Sequence, residues 1–462
     1  MLKWVPEIQR RVVIVGGGVS GALTAIQLAS SLDEPTSIDI IEPRPTVGRG
    51  VAYSTDFDGH LLNVRAGGMS AFPEQPTHFA SWLARSRGLE VEAAKLIFAR
   101  RKEYAEYIDE TLQDALAANR LITLAHVRDT AKEVKQFGDN YLVELANGVA
   151  IEASQIVVAL GNQVPKFPPI LRHLSDDPKL IQDPWDTESV ERIRRDESLL
   201  LVGAGLTMID LLVLLQKRGH LGSIDAISRH GMMPRVHRQA KPREVIDPSS
   251  RSARALFKNV RNECERAIEE GEDWRAAIDA LRPYNQAIWK ALPTQEKQRF
   301  VRHLQTFWDV HRHRVAPEIW EQVERMQSSG QFHLDAGHVY SVEPQNGKLR
   351  VRYRSRQGEH CELSVDRILN CTGPSPDWRS RRLPLLEDLV QRALATYDEL
   401  GYGLKIDDRH QLIGRDGTAT KGIYAIGPIC RGELWETTAV PEIRGQAATI
   451  AKQLATRKLL TV

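Results

Sequence analysis

Short apolar runs that end in glycine recur along the chain, and a segment with helical spacing follows each of the first two. The first run leads into RVVIVGGGVSG (11–21), and residues 22–32 after it place apolar side chains at helical spacing. The second leads into LLLVGAGLTM (199–208), which is followed by the apolar segment 209–215. Short buried strands that alternate with helices are typical of parallel sheets. The pattern therefore predicts an α/β protein with two strand–turn–helix units.

The first glycine turn has the spacing G-x-G-x-x-G. Gly16 permits a tight turn, Gly18 lets the backbone approach a pyrophosphate, and Gly21 lets the helix pack closely on the strand. The next strand, 37–41, ends at Glu42, whose carboxylate can accept hydrogen bonds from a ribose with a free 2′-hydroxyl. This arrangement predicts FAD or NAD, and not NADP, at the first turn.

The second glycine turn lacks both the third glycine and the acid. Met208 replaces the glycine, so we expect the helix and the strand to pack less closely there. The strand 224–228 is followed by Arg229 and His230, and a cation at this position suits the 2′-phosphate of NADPH. An empty domain with a chance arginine is the alternative. The NADPH-binding residues are predicted to be Gly203, Gly205, Thr207 and Arg229.

Two similar segments lie on either side of the second turn. Residues 150–161 and 364–373 each combine a buried strand with a small residue and a glycine. The pattern predicts two Rossmann-like dinucleotide-binding domains, the second inserted in the first. We place the FAD-binding domain at 1–161 and 365–462, and the NADPH-binding domain at 162–364.

A helical and charged segment, 240–330, forms an additional insertion that we interpret as a cap or a dimer surface. A homo-oligomer therefore stays open. The densest polar cluster of the insertion contains His311, Arg312 and Arg314, which are candidates for binding a carboxylate or phosphate of a substrate. Structural ion pairs are the alternative. No metal site is predicted, because His311 and His313 are two residues apart and would point away from each other on a helix.

Composition limits the classes of function. The 462 residues carry a formal net charge of +2, which gives no signal for binding nucleic acid or a membrane surface. The four cysteines form no C-x-x-C pair, which argues against a zinc site or a redox-active disulfide. Few cysteines, the lack of a secretory leader and the lack of a long apolar run predict a cytoplasmic protein.

The order of these segments resembles the two-dinucleotide-domain flavoproteins. In that superfamily the strand–glycine segment that matches 421–428 lies beside the flavin ribityl chain, and the helix after it, here 442–451, points at the pyrimidine end of the ring. Within the superfamily, PRPTVGRGVAY (43–53) and HLLNVRAGGMS (60–70) resemble a bacterial family of FAD–NAD(P)-binding proteins. The motifs and the resemblance together predict these FAD-binding residues: Gly16, Gly18, Ser20, Gly21, Glu42, Arg44, Gly50, Asn63, Thr372, Gly373 and Gly427.

An FAD beside an NADPH implies hydride transfer from the nicotinamide to the flavin. The chain also resembles single-component flavin monooxygenases, including the ornithine and lysine N-hydroxylases, because DRILNCTGP (366–374) partly matches their D-x-x-x-[LF]-A-T-G-Y segment. That resemblance implies that molecular oxygen accepts the electrons and that a flavin hydroperoxide hydroxylates a nitrogen or sulfur centre of a small molecule. The F-x-G-x-x-x-H motif of related monooxygenases is missing. An NADPH-dependent reductase or dehydrogenase, and a non-catalytic scaffold or redox sensor, stay open as alternatives.

Two residues are candidates for the catalytic site. Asn63 lies in the loop that the resemblance places against the isoalloxazine, where it could bond the ring or the NADPH amide; capping a turn is the alternative. Trp435 precedes the final helix and is a candidate wall of the active site together with Glu436, which could act as a base.

Overall fold

The structure is a computed structural model that describes residues 10–240, 243 and 249–456. The strands are β1 (Arg10–Val15), β2 (Thr36–Ile41), β3 (Ile122–Val127), β4 (Ala131–Phe137), β5 (Asn140–Leu145), β6 (Ala150–Ala153), β7 (Gln155–Val158), β8 (Leu180–Ile181), β9 (Leu199–Val202), β10 (Ile224–Ser228), β11 (Phe332–Gln345), β12 (Lys348–Ser355), β13 (His360–Val365), β14 (Arg367–Asn370), β15 (Gln411–Ile413) and β16 (Ala419–Ala425). The α-helices are α1 (Val19–Ser31), α2 (His78–Arg87), α3 (Val91–Leu96), α4 (Arg101–Ala118), α5 (Thr187–Glu191), α6 (Leu206–Lys217), α7 (Ala253–Glu269), α8 (Arg275–Ala280), α9 (Asn285–Ala291), α10 (Thr294–His303), α11 (Gln305–Arg312), α12 (Pro317–Ser328), α13 (Pro384–Gln391), α14 (Arg431–Leu434) and α15 (Val440–Thr456).

The first sheet has the strand order β15-β16-β7-β1-β2-β3, and only the β15–β16 pair is antiparallel. Side chains alternate across β1: Val12 and Ile14 pack against α1, α4 and α15, whereas Val13 and Val15 face the three-stranded sheet β4-β5-β6 and α13. Because both faces are covered, the central strands are buried throughout, as expected of a parallel sheet.

The second sheet has the order β13-β12-β11-β10-β9-β14-β8. Its central strands are parallel, and β11 continues past the parallel region to form an antiparallel extension with β12 and β13. Helices α6 and α12 pack on one face, where Leu212 and Val323 belong to the same core cluster. Two sheets of this kind confirm the predicted α/β class.

The chain passes from the first sheet to the second after β7 and returns after β14. Strand β7 pairs with β1, and β14 pairs with β9 in the same parallel manner. The two similar segments found in the sequence are therefore corresponding strands of two different sheets. This corrects the predicted boundary, because residues 367–370 belong to the second sheet and not to the FAD-binding segment that was placed at 365–462.

The helical insertion consists of α7 to α11, which precede α12 in the chain. Helix α9 packs against α14, so the insertion contacts the C-terminal part of the first domain. Helix α12 instead packs on α6 and belongs to the layer that covers the second sheet. Part of the predicted insertion, residues 241–242 and 244–248, lies outside the described residues. Within the described ranges, no helix combines the length and apolar character that crossing a membrane requires.

Candidate functional site

The first glycine turn brings backbone against backbone at two points. Gly16 has a φ of 107°, and a Cβ on it would lie 2.5 Å from the carbonyl oxygen of Ala159. A Cβ on Gly21 would lie 2.1 Å from the carbonyl oxygen of Gly16. Neither position accepts a side chain without a backbone shift. The first glycine permits the turn, and the third permits the close approach of α1 to β1.

The N-terminus of α1 is suited to an anion. Gly18 is the N-cap residue; no side chain in the described part of the chain caps this end, and its first turn contains no acid. Its free N–H groups can therefore donate to a phosphate, and the helix dipole favours the negative charge. Gly50 faces Gly18, since a Cβ on Gly50 would lie 3.3 Å from the Gly18 Cα. The two glycines leave the backbone accessible to a bound pyrophosphate.

The carboxylate of Glu42 is held in a fixed position at the end of β2. Its Oε2 accepts a hydrogen bond from the Gly17 N–H and its Oε1 accepts one from the Arg44 N–H, both at 3.0 Å. The side chain is buried and lines the cavity beside the turn. A carboxylate held in this way retains lone pairs that can accept hydrogen bonds from ribose hydroxyls.

A cavity of about 410 Å³ extends from this turn to the start of the final helix. The predicted residues that line it are Gly16, Gly18, Ser20, Glu42, Arg44 and Gly50. Thr438 and Val440 line its other end. Sequence reasoning missed Arg49 and Arg381, which also line it and whose guanidinium groups have no hydrogen-bonding or ionic partner among the described residues. Arg49 precedes the predicted Gly50, which was an available signal, whereas Arg381 comes from a distant segment.

The glycine after β16 lies beside the first turn; its predicted place beside the flavin ribityl chain stays a prediction. Gly427 has a φ of 79°, and a Cβ on it would lie 2.5 Å from the Ser20 Oγ. The Gly427 N–H donates to Gln446 Oε1 at 2.9 Å, which ties this turn to α15. The residues of the cavity fit an FAD: N–H groups and arginines for the pyrophosphate, a fixed acid for the ribose, and a glycine where the backbone approaches the ligand.

The second glycine turn repeats the first contact. Gly203 has a φ of 112°, and its Cβ would lie 2.4 Å from the Cys371 carbonyl oxygen. Helix α6 begins after the N-cap Gly205, followed by Leu206 and Thr207, and its first turn contains no acid. Thr372 and Gly373 follow Cys371 here, at the end of β14 in the second sheet. The Thr372 nitrogen lies beside Gly203, and neither Thr372 nor Gly373 lines the cavity of the first turn. Their binding of FAD stays a prediction.

Two arginines lie near the end of β10. Arg229 is exposed directly after the strand, and Arg356 reaches the same region from the loop after β12. Burial lowers the pKa of His230 between them, and the charges of Arg229 and Arg356 lower it further. Arg356 was missed in the sequence because it is distant along the chain. Two cations and the α6 N-terminus can bind phosphate groups.

Asn63 lies at the contact between the two domains. Its carbonyl oxygen accepts a hydrogen bond from His237 Nε2 at 2.9 Å. Burial lowers the pKa of His237 to about 4, so this ring is neutral at pH 7. Asn63 does not line the cavity beside the first turn. A catalytic role for this residue stays a prediction.

Trp435 lies beneath the helical insertion. Its ring centroid is 4.6 Å from that of Trp289 and 5.1 Å from that of Phe300. Its backbone has φ 62° and ψ −71°, a conformation that costs a side-chain-bearing residue on the order of 1–3 kcal/mol. Three residues later, Thr438 lines the FAD-site cavity. Segment 435–438 therefore separates the insertion from that cavity.

Buried charges join the insertion to this segment. Arg312 Nη2 lies 3.1 Å from Glu436 Oε2, and Arg282 Nε lies 3.0 Å from Glu442 Oε1. Further buried atoms of these residues and their neighbours have no hydrogen-bond partner among the described residues: Arg282 Nη2, Arg312 Nε, Glu436 Oε1, Thr437 Oγ1, Glu442 Oε2 and Gln446 Nε2. Such a group of unpaired polar atoms indicates a place for water or for a polar ligand.

The three predicted substrate-binding residues do not come together. Only Arg312 belongs to the buried charge cluster. Arg314 makes two hydrogen bonds to the carboxylate of Asp279, at 2.8 and 2.9 Å, and its Nε donates to the His311 carbonyl oxygen. His311 Nδ1 donates to the carbonyl oxygen of Phe307. These partners favour a structural role for Arg314, and substrate binding by these residues stays a prediction.

Comparison with known proteins finds one family model that matches part of the chain. Residues 13–163 match the model of a family described as FAD–NAD(P)-binding, which confirms the predicted cofactor class for this part of the chain. No curated protein matches the chain.

Several solved structures share the fold over nearly the whole chain. An ornithine hydroxylase from Pseudomonas aeruginosa is 16% identical over 97% of this chain and 99% of its own, with a TM-score of 0.64. An L-lysine 6-monooxygenase from Pseudomonas syringae is 13% identical over 96% and 99%, with a TM-score of 0.68. A thioredoxin reductase from Lactococcus lactis is 13% identical over 97% and 98%, with a TM-score of 0.52. The chain therefore shares the fold of these proteins.

Proposed function

We propose that the protein is an FAD-dependent oxidoreductase that NADPH reduces, and that it is a monooxygenase acting on a nitrogen or sulfur centre of a small molecule. The observation that carries this proposal is the opposite ribose chemistry of the two turns. A buried acid, Glu42, follows β2, and two cations, Arg229 and Arg356, lie at the end of β10. The similarity to N-hydroxylating monooxygenases supports oxygen as the electron acceptor.

The residues of this chain have distinct tasks in the proposal. The bound FAD supplies hydride acceptance and oxygen activation. Glu42 positions the adenosine ribose, and the N-termini of α1 and α6 bind the phosphates of the two dinucleotides. The first turn of α15 lies beside the cavity end at Val440, where its dipole favours negative charge. Segment 435–438 and the insertion exclude bulk water from that end of the cavity.

The four cysteines support a reducing compartment and argue against a dithiol acceptor. All four are free, and burial raises the pKa of Cys371 and Cys430 and raises that of Cys264 to about 11. Thiols of this kind are poor nucleophiles, because the thiolate is the reactive form. We therefore place the protein in the cytoplasm. The homo-oligomer stays a prediction.

The test is anaerobic reduction of the FAD-loaded protein with NADPH or NADH, followed by oxygen. We expect bleaching of the flavin absorbance with NADPH at a lower concentration than with NADH. Oxygen uptake in the presence of amines or thioethers should then release less hydrogen peroxide than one equivalent, because oxygen enters the product. Full release of peroxide with every compound would favour the reductase alternative. If neither nucleotide reduces the flavin, only the alternative of a non-catalytic scaffold or redox sensor would remain.

A further inference from the structure

The helical insertion contains a second and larger cavity, of about 720 Å³. Aromatic and aliphatic side chains from α7, α9 and α11 contribute much of its wall, and Trp435 closes it on the side of segment 435–438. Its volume lies within the range of small-molecule sites, whereas packing in protein interiors leaves few voids larger than one water molecule. The cavity is therefore large enough for a small molecule.

Helix α7 packs on α8 and α10, but part of its apolar face lines the cavity. Of its 17 residues, only Ala253 and Ala267 are buried. Leu256 and Val260 line the cavity and also pack at the edges of two small apolar clusters, whereas Phe257 lines it and is 38% exposed. An apolar helix face normally packs against another element. Here part of it faces space that an apolar ligand could occupy.

Two buried hydrogen-bond donors in the cavity wall have no partner within the described chain. They are Asn285 Nδ2, on a side chain that is 8% exposed, and Trp308 Nε1. Buried donors are nearly always bonded, because an unpaired buried donor costs on the order of 1–3 kcal/mol. Two such donors in one apolar cavity are available to the acceptor oxygens of a ligand.

The exposed part of the wall carries unpaired positive charge. Arg235 and Arg238 line the cavity and are exposed, and neither forms an ion pair with an acid in the described ranges. The wall also contains Glu265, which is paired with Arg261, and the charge of Arg238 acts on Asp273 from a distance. Arg275, by comparison, is held by Asp273 and by the carbonyl oxygen of Val236. The two exposed arginines favour an anionic ligand.

We propose that this cavity binds a small carboxylic acid with an aromatic or acyl body. The apolar body packs among the tryptophans and the α7 face, and the carboxylate oxygens accept from the donors of the wall in the field of Arg235 and Arg238. This site is distinct from the two dinucleotide sites, and the inference does not depend on whether oxygen or another acceptor reoxidises the flavin.

The test titrates 4-phenylbutyrate and octanoate into the full-length, FAD-loaded, oxidised protein, with 4-phenylbutanol and octanol as neutral counterparts. Calorimetry measures binding, and intrinsic fluorescence reports the site directly, since these tryptophans line it: Trp274, Trp289, Trp308, Trp320 and Trp435. We expect saturable binding, with the acids about three- to tenfold tighter than the alcohols, because exposed charges contribute modestly.

Two sets of variants locate the binding. Val260→Trp fills the cavity from α7 and should weaken binding more than tenfold, whereas Lys258→Trp, on the exposed side of the same helix, should not change it. The exposed pair Arg235→Gln and Arg238→Gln should remove the preference for the acids while binding of the alcohols persists.

Three results would overturn the inference. They are no saturable binding of any probe, equal binding by the two α7 variants, and equal affinity of the wild-type protein for acids and alcohols. Melting temperature and flavin absorbance confirm that each variant is folded.

Discussion

The two glycine turns share the backbone contact of the first glycine and a glycine N-cap, and they differ at the third glycine position and in the charge that follows the next strand. In each, the first glycine has a φ above 100° and meets a carbonyl oxygen of the adjacent strand, at 2.5 Å from Gly16 and 2.4 Å from Gly203 for a built Cβ. The third glycine occurs only in the first turn, where Gly21 meets the Gly16 carbonyl oxygen at 2.1 Å; the second turn has the fully buried Met208. The first glycine is thus a requirement of the turn, and the third belongs to one way of packing the helix.

The strands next to the turns also end differently. After β2, Glu42 is buried and held by two backbone N–H groups, so its carboxylate is rigid. After β10, Arg229 is exposed, and Arg356 is a second cation nearby. A fixed acid excludes a 2′-phosphate, and flexible cations attract one. The same strand–turn–helix fold can therefore favour a dinucleotide with or without a 2′-phosphate, depending on the charge of the residue that follows the second strand.

The largest expected effect is the loss of FAD when Gly21 is replaced. In Gly21→Ala the new Cβ meets a backbone oxygen, so α1 must move away from β1 and its N–H groups leave the pyrophosphate. We expect protein purified without flavin absorbance near 450 nm, or FAD affinity reduced about 100-fold or more, since displaced groups lose several charge-assisted bonds. Ser30→Ala, at the exposed end of the same helix, is the control. Normal flavin content in Gly21→Ala would show that close packing is not needed.

At the third position of the second turn, a smaller residue should be the harmful change, whereas in the first turn a larger residue is. Met208 is fully buried in the core between α6 and the sheet, so Met208→Ala should lower the free energy of unfolding by about 2–5 kcal/mol. Chemical denaturation followed by circular dichroism measures this change. Lys217→Ala, on the exposed end of α6, should change it by less than about 0.5 kcal/mol. A loss below about 1 kcal/mol in Met208→Ala would mean that the two turns pack alike.

The contact between the two domains predicts a dependence of stability on pH. Burial lowers the pKa of His237 to about 4 from its usual 6.5, so below pH 6.5 the unfolded chain binds a proton that the folded protein does not. Stability should therefore fall as the pH drops from 6.5 to about 4, by at most about 3 kcal/mol for this group. Thermal melts across this range should show a shallower fall in His237→Gln. His410, whose pKa is also lowered to about 4, keeps part of the fall in both proteins. Identical acid profiles would contradict the role of His237.

The smallest effect concerns the choice of nucleotide. Arg229→Ser removes one exposed cation, so the KM for NADPH should rise roughly 10-fold, about 1.4 kcal/mol, while the KM for NADH stays unchanged. Arg356→Ser should act in the same direction, and Arg192→Ser, an exposed arginine elsewhere in the second domain, should have no effect. Flavin reduction kinetics with both nucleotides measure these values. Equal changes for NADPH and NADH would assign Arg229 a general role.

Patterns local in the sequence determined the class of fold and the two turns. The spacing of Gly16, Gly18 and Gly21 acts within one strand–turn–helix unit, and Glu42 and Arg229 directly follow their strands. Periods of two and of 3.6 residues report burial within single elements, so such features can be predicted without knowing which elements pair.

Only the tertiary structure decided which sheet β7 and β14 join. The sequence segments that contain these two strands have the same pattern, and only the hydrogen bonds to β1 and to β9 distinguish them. The tertiary structure also brought Arg381 to the FAD-site cavity and Arg356 to the second turn. The wall of the cavity in the insertion is formed by side chains from several helices, so it exists only when these helices are packed together. Contacts between residues distant in the chain depend on packing that no local period encodes, and for that reason the sites became complete only in the folded protein.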